Sequence, residues 1–245
     1  MAATGAFSSR TALVTGSTQG IGRAMATAFA SAGVRVVIHG PDQSIATRVA
    51  GEIGGNARGF GADLADPQAT AALPPRIGPI DILVLNASIE FRKDWLDITI
   101  EDMRAQHEVN MRATLQLLQA LVPPMRARGW GRVVALGSVQ EQRGNLTHLV
   151  YAGQKAAQTH MILTLARTLG NRGVTFNVIQ PGAIHTDRNA QALADPAFRD
   201  AVIARVPAAR LGTPADLVGA ALLLCGEDGA YINGATLAVD GGMRL

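Results

Sequence analysis

Apolar residues fall along this chain in short unbroken runs, set between longer stretches where they recur with helical spacing. Residues 11–15, 34–38, 57–61, 81–85, 132–136, 174–179 and 236–239 each read as a buried strand, the run at 57–61 being the weakest. The intervening segments predict helices over 23–32, 42–51, 99–125, 151–169, 192–205 and 214–224. Another short helix starts at Asp66-Pro67 and is expected to end at Pro74-Pro75. Thr99 is the expected cap of the long helix, with Glu101 and Asp102 in its first turn. Strand and helix alternate without a break. The pattern predicts an α/β fold: a doubly wound parallel sheet of about seven strands, right-handed crossovers, and helices on both faces. No repeat or linker interrupts it, so residues 1–245 are expected to form a single domain. Residues 1–9 are small and polar and read as a frayed start.

Composition narrows the class. Apolar residues make up 48% of the 245, enough for a sizeable core, but aromatics only 4%, so Ala, Val, Leu and Ile must build it. The N-terminus lacks the charged-then-apolar pattern of a signal peptide, and no run approaches the ~18 apolar residues of a membrane span. The single cysteine, Cys225, lies in an apolar run, reads as a packing residue and fits a reducing compartment. These features predict a cytoplasmic enzyme with no membrane partner. The net charge is +3 and the pI about 9.6, yet the arginines are scattered, without the basic stripe that nucleic-acid binding needs. The five histidines have no metal-ligand spacing, so no metal is expected.

The first strand runs straight into Gly16-Ser17-Thr18-Gln19-Gly20-Ile21-Gly22, and a helix follows. Gly16 permits a tight turn. Gly20 and Gly22 let backbone N–H groups approach a pyrophosphate at the positive end of that helix. The spacing is G-x-x-x-G-x-G rather than G-x-G-x-x-G. The end of the second strand bears on cofactor choice, because a carboxylate there would grip the ribose 2′-OH of NAD. Gly40 stands at that place, between His39 and Pro41. Neither an acid to repel a 2′-phosphate nor an arginine to hold one is present. The reading leans slightly to NADP(H) over NAD(H), with Ser17, Thr18, the backbone and His39 as the phosphate's contacts. Asp42 is the residue that keeps NAD open.

Tyr151 and Lys155 stand four residues apart on a predicted helix, and so on one face. A cation that close favours phenolate and is expected to lower the tyrosine pKa towards neutrality, fitting it to exchange a proton with a carbonyl or alcohol oxygen. Ser138 lies just past the end of the 132–136 strand. Asn110 sits mid-helix, where asparagine is a poor helix former.

Together these residues resemble the short-chain dehydrogenase/reductase family, in a subgroup like the 3-oxoacyl-carrier-protein reductases. The similarity covers nearly the whole chain. It rests on Thr15-Gly16-x-x-x-Gly20-Ile21-Gly22, Asp63-Leu64, Asn86-Ala87, Asn110, Ser138, Tyr151-x-x-x-Lys155, Pro181-Gly182 with Thr186, and Asp240-Gly241-Gly242. The resemblance implies a Rossmann-type sheet, a nicotinamide cofactor and a homotetramer built through the two long helices. The family's Asn-Asn-Ala-Gly appears here as Leu85-Asn86-Ala87-Ser88, which puts a side chain where glycine is usual.

On this resemblance Ser138 would hydrogen-bond the substrate oxygen, Tyr151 would carry the proton, and Lys155 would lower the tyrosine pKa and hold the nicotinamide ribose. Asn110 would position a water joining Lys155 to solvent. Asp63 would lie near the adenine, with Leu64, Asn86, Ala87 and Ser88 lining the pocket. Pro181, Gly182, Ile184 and Thr186 would contact the nicotinamide end, while His185 faces solvent. Gln140, His148 and Glu90 are the candidate substrate contacts, and their polarity suits a sugar, polyol or hydroxy acid. The expected function is hydride transfer between NAD(P)(H) and a small carbonyl or secondary alcohol. A 3-oxoacyl-carrier-protein reductase shares every motif and stays open. A non-catalytic dinucleotide sensor would have no need of the Ser138, Tyr151, Lys155 and Asn110 set. A halohydrin-type lyase is opposed by Lys155 and by the glycine turn.

Overall fold

The computed structural model describes Phe7 and residues 9–245. Apart from Phe7 and Ser9, the start expected to be frayed lies outside the described residues. Seven parallel strands form one sheet in the order β3-β2-β1-β4-β5-β6-β7: β1 (Thr11–Val14), β2 (Arg35–Gly40), β3 (Arg58–Gly61), β4 (Ile82–Leu85), β5 (Gly131–Leu136), β6 (Val174–Pro181) and β7 (Thr236–Val239). Strand order reverses between β1 and β4, and the crevice beyond the carboxyl ends of strands at such a switch is where α/β sheets bind ligands.

The unbroken apolar runs are explained by cover on both faces. Leu13, Leu83, Val133 and Phe176 point to one layer, which also holds Leu73, Leu117 and Ile162 from the helices on that side. Their neighbours Ala12, Val14, Ile82, Val84 and Val134 point to the other, against Met25, Phe29 and Leu224. The first layer is supplied by α3 (Pro67–Ile77), α5 (Ala113–Arg128) and α6 (Leu149–Leu169), and the second by α1 (Gly20–Ser31), α2 (Gln43–Ile53) and α9 (Val218–Cys225). Cys225 is buried there, and burial pushes its thiol up to about 12. Among the described residues no helix is long and apolar enough to cross a membrane.

Three helices depart from expectation. α3 does not stop at Pro74-Pro75 but runs on to Ile77, held by the burial of Leu73 and Ile77. The long helix is capped by Thr99 as predicted, in a reciprocal box with Asp102, but it is not uniform. α4 (Ile100–His107) passes through a π turn over Glu108–Arg112 into α5, and the Ala113 N–H reaches back five residues to the Glu108 carbonyl. The helix expected over 192–205 is two: α7 (Asp187–Leu193) and α8 (Pro196–Ile203). Asp195 caps α8 by accepting from the Ala197 N–H, and Pro196 is favoured at a helix start.

Candidate active site

A cleft of about 750 Å³ opens over the carboxyl ends of the strands. Its nucleotide-like half begins at the glycine turn. Gly16 and Gly20 have φ of +62° and +55°, a conformation other residues rarely adopt. A Cβ on Gly22 would stand 2.4 Å from the Gly16 carbonyl oxygen, so the close approach of α1 to the turn requires glycine. Gln19 gives α1 no side-chain cap, and the first N–H groups of the helix are left to face the cleft. That open, positive helix end fits a pyrophosphate.

Of the residues expected here, Gly16, Thr18, Gln19, Gly20, Ile21, Asp63, Leu64, Asn86, Ala87 and Ser88 line the cleft. So do Pro181, Gly182, Ile184 and Thr186 at its far end. Ser17 and Gly22 stand behind the lining. The Ser17 hydroxyl accepts from the His39 N–H at 3.0 Å, which corrects its expected phosphate contact: it pins β2 to the turn. Gly40 is covered by Thr18, whose Cγ2 would lie 2.7 Å from a Cβ placed there. Asp42 caps α2, its carboxylate accepting from the Ile45 N–H at 2.9 Å.

His39 needs a correction too. It reaches the cleft wall but is 2% exposed, with its Nδ1 accepting from the Gly16 N–H at 3.2 Å and its Nε2 at 3.0 Å from the Ala62 carbonyl. The carbonyl can only accept, so Nε2 carries the proton. Burial, only partly offset by Ala62 and Asp63, pushes the ring down to about 4. His39 is a neutral brace for the glycine turn and supplies no charge to a phosphate at neutral pH.

The reacting half gathers Ser138, Tyr151 and Lys155. Ser138 follows β5 in a tight turn that Glu141 fixes, accepting from the Ser138 N–H at 2.7 Å and from Gln180 Nε2 at 2.9 Å. Gly137 leaves room for this, since a Cβ there would lie 2.4 Å from Glu141 Oε1. Tyr151 is buried and lines the same end of the cleft as Ser138 and Ser88. The shift of the tyrosine runs opposite to the lowering expected from the sequence. Burial and the Glu90 charge push Tyr151 up to about 12, against the weaker opposing pull of Arg188, Ser138 and Ser88. Lys155 Nζ lies 5.9 Å from the ring centroid and spends donors on the Leu136 carbonyl at 2.6 Å and Gln158 Oε1 at 3.0 Å. Burial and Arg188, opposed by Glu141 and Glu90, bring Lys155 itself down to about 8.

Asn110 is fully buried in the π turn and does not line the cleft. Its side chain pairs with the Ile89 backbone in both directions, Oδ1 accepting at 3.0 Å and Nδ2 donating at 2.9 Å, which straps down the loop after β4. Between Asn110 and Lys155 stands Gln158, which reaches both the Lys155 ammonium and the Asn110 carbonyl.

The substrate end is polar. Gln140, His148 and Glu90 all line it. Glu90 bonds His148 Nε2 at 2.8 Å and Arg92 Nε at 2.9 Å. Burial alone would raise its carboxyl, but these partners outweigh it and hold it down at about 2. Arg188, which the sequence reading passed over, bridges the cleft from α7 to the Ser88 carbonyl at 2.6 Å and hydroxyl at 3.2 Å. Of these two bonds only the longer one uses the Ser88 side chain that stands where glycine is usual. His185 is exposed, as expected. Among the described residues no group of three or more His, Cys, Asp or Glu could hold a metal ion.

The cleft thus brings a phenol, a hydroxyl and an ammonium together with a glycine turn at a sheet switch point, an arrangement that suits a dinucleotide-dependent oxidoreductase. The comparisons agree. A family model described as enoyl-(acyl carrier protein) reductase matches residues 16–244. The 3-oxoacyl-[acyl-carrier-protein] reductase of Escherichia coli (strain K12) is 34% identical over 243 residues, covering 98% of this chain and 99% of the relative. Among solved structures, a 3-oxoacyl (acyl-carrier-protein) reductase from Agrobacterium tumefaciens C58 with NADP bound is 38% identical at a TM-score of 0.93, covering 97% of this chain and 95% of that one. A putative NAD(P)-dependent gluconate 5-dehydrogenase from Beutenbergia cavernae with bound NADP is 35% identical, also at 0.93, covering 97% and 98%. The chain belongs to the short-chain dehydrogenase/reductase family. It is an oxidoreductase of the NAD(P)-dependent kind.

Proposed function

We propose that this enzyme interconverts a small, polar secondary alcohol and its ketone through Ser138, Tyr151 and Lys155. The observation that carries the reading is that Ser138, Tyr151 and Lys155 line one cleft with the glycine turn, the Lys155 ammonium 5.9 Å from the Tyr151 ring. Ser138, held by Glu141, donates a hydrogen bond to the substrate oxygen and shares its developing charge. Tyr151 gives that oxygen its proton in reduction and takes it back in oxidation. Lys155 keeps a positive charge near the phenol and lies where ribose hydroxyls would meet it. Asn110 acts through others, holding the Ile89 loop and, by way of Gln158, Lys155. The nicotinamide, when bound, supplies or accepts the hydride.

NADP(H) is favoured over NAD(H): two solved relatives carry NADP, and Asp42, the acid nearest the end of β2, is engaged as a helix cap. Glu90, His148 and Arg188 make the substrate end suit a polyol or hydroxy acid. The similarity to relatives named as 3-oxoacyl-carrier-protein reductases supports that second reading. A homotetramer is supported by apolar side chains exposed on one stretch, Trp95, Leu96, Ile100 and Met103, beside the long helix. The single, buried Cys225 fits a cytoplasmic setting. The test is nicotinamide absorbance with both cofactors against polyols, hydroxy acids and a 3-oxoacyl thioester. Turnover of the thioester alone would reject the polar-substrate reading.

A further inference from the structure

The buried face of α6 carries Tyr151, Lys155, Gln158, Ile162 and Ala166. Gln158 is 1% exposed, and an amide in that position must be satisfied within the protein. Its Oε1 accepts from the Lys155 ammonium at 3.0 Å. Its Nε2 donates to Thr114 Oγ1 at 2.8 Å and to the Asn110 carbonyl at 3.3 Å. The Thr114 hydroxyl in turn donates to the same carbonyl at 3.0 Å. The amide has one possible orientation: an ammonium has only donors and must face the oxygen, and a carbonyl only accepts and must face the nitrogen.

We propose that Gln158 is a positioning residue for the reaction, an amide bridge that ties the Lys155 ammonium to the Asn110 carbonyl where a water would otherwise be expected. The inference rests on the roles given above to Tyr151 and Lys155. A water can leave or turn, whereas this amide is fixed at both ends by buried partners. Its oxygen favours the charged form of Lys155 against the burial that disfavours it. The other groups facing Lys155 are Tyr151 on its own helix, Glu141 after β5, Glu90 after β4 and Arg188 on α7. Glu141 and Glu90 help keep the proton and Arg188 opposes it.

The test is the pH profile of kcat/KM for ketone reduction, whose alkaline limb reports loss of the Lys155 proton. Removing one acceptor from a charged group is worth about a tenfold change in its ionisation constant. Gln158→Met, which keeps the volume and drops the acceptor, should move the alkaline limb down by about one pH unit. Gln158→Glu keeps an acceptor and adds charge, so it should move the limb up. A residue that only packs would lower the rate without moving the limb. Profiles that overlay the wild type overturn the proposal, even where rates fall. If Gln158→Met does not fold, the direction of the Gln158→Glu limb decides alone, and an unmoved or lowered limb rejects the bridge. Tyr151→Phe run beside them separates the two levels. If it stays active, the catalytic reading itself fails; if it is inactive and the Gln158 limbs do not move, only the bridge fails.

Discussion

His39 makes the stability of this enzyme depend on pH in a window that can be worked out from its contacts. The ring titrates at 6.5 when unfolded and at about 4 in the fold. Between those values the unfolded chain holds the extra proton, so protonation pulls towards unfolding. The stabilisation is present in full above 6.5 and drains away as the pH falls towards 4. The gap, at about 1.4 kcal/mol per pH unit, sets a ceiling of about 3 kcal/mol, most of it lost by pH ~4.5. Protonation also removes the acceptor for the Gly16 N–H, so nucleotide affinity should fall in the same window. His39→Gln keeps a donor for the Ala62 carbonyl but does not titrate. Urea unfolding of both proteins near neutrality and at about pH 4.5 isolates the histidine, because every other group is shared. The wild type should lose about 2–3 kcal/mol more than the variant. Equal losses would refute the reasoning and return His39 to the list of phosphate contacts.

Tyr151→Phe should cut turnover by about 10²–10⁴-fold while leaving nucleotide binding within a few fold; a rate above about a tenth of wild type would remove the proton role. Gly40→Asp should turn cofactor preference towards NAD, but only when combined with Thr18→Ser, since Thr18 Cγ2 fills the space a side chain at 40 needs. A wild type that already prefers NAD(H) tenfold in kcat/KM would show the lean to NADP(H) to be wrong. Light scattering at micromolar concentration should report a tetramer, and a monomer would leave the exposed Trp95, Leu96, Ile100 and Met103 in need of another partner.

The inner strands β1, β4, β5 and β6 were readable because they are buried on both faces and so leave unbroken apolar runs, whereas the partly buried edge strand β3 gave the weakest signal. The glycine turn was readable because no other residue fits its φ angles or its approach to α1. Side-chain direction was not. His39 gave no sign that both its nitrogens were engaged, and the tyrosine's neighbours could be named but not weighed against its burial. The π turn at Glu108–Arg112 left no trace, since one extra residue barely alters a helical pattern over so long a segment. Gln158 did leave one. It continues the spacing of Tyr151 and Lys155 along the core-facing stripe of α6, and a polar residue on that stripe asks for a partner. Arg188 followed a legible motif but lay outside its named positions.

The π turn also sets how this protein can change in length. One residue removed from Glu108–Arg112 would be absorbed without strain as ordinary α-helix, so the chain would still fold smoothly there. Yet each residue of an α-helix turns its neighbours by about 100°. Asn110 would swing off the Ile89 backbone, or else α4 would rotate its exposed apolar side chains to a new bearing. A deletion silent to local conformation would thus uncouple the outer surface from the reaction centre.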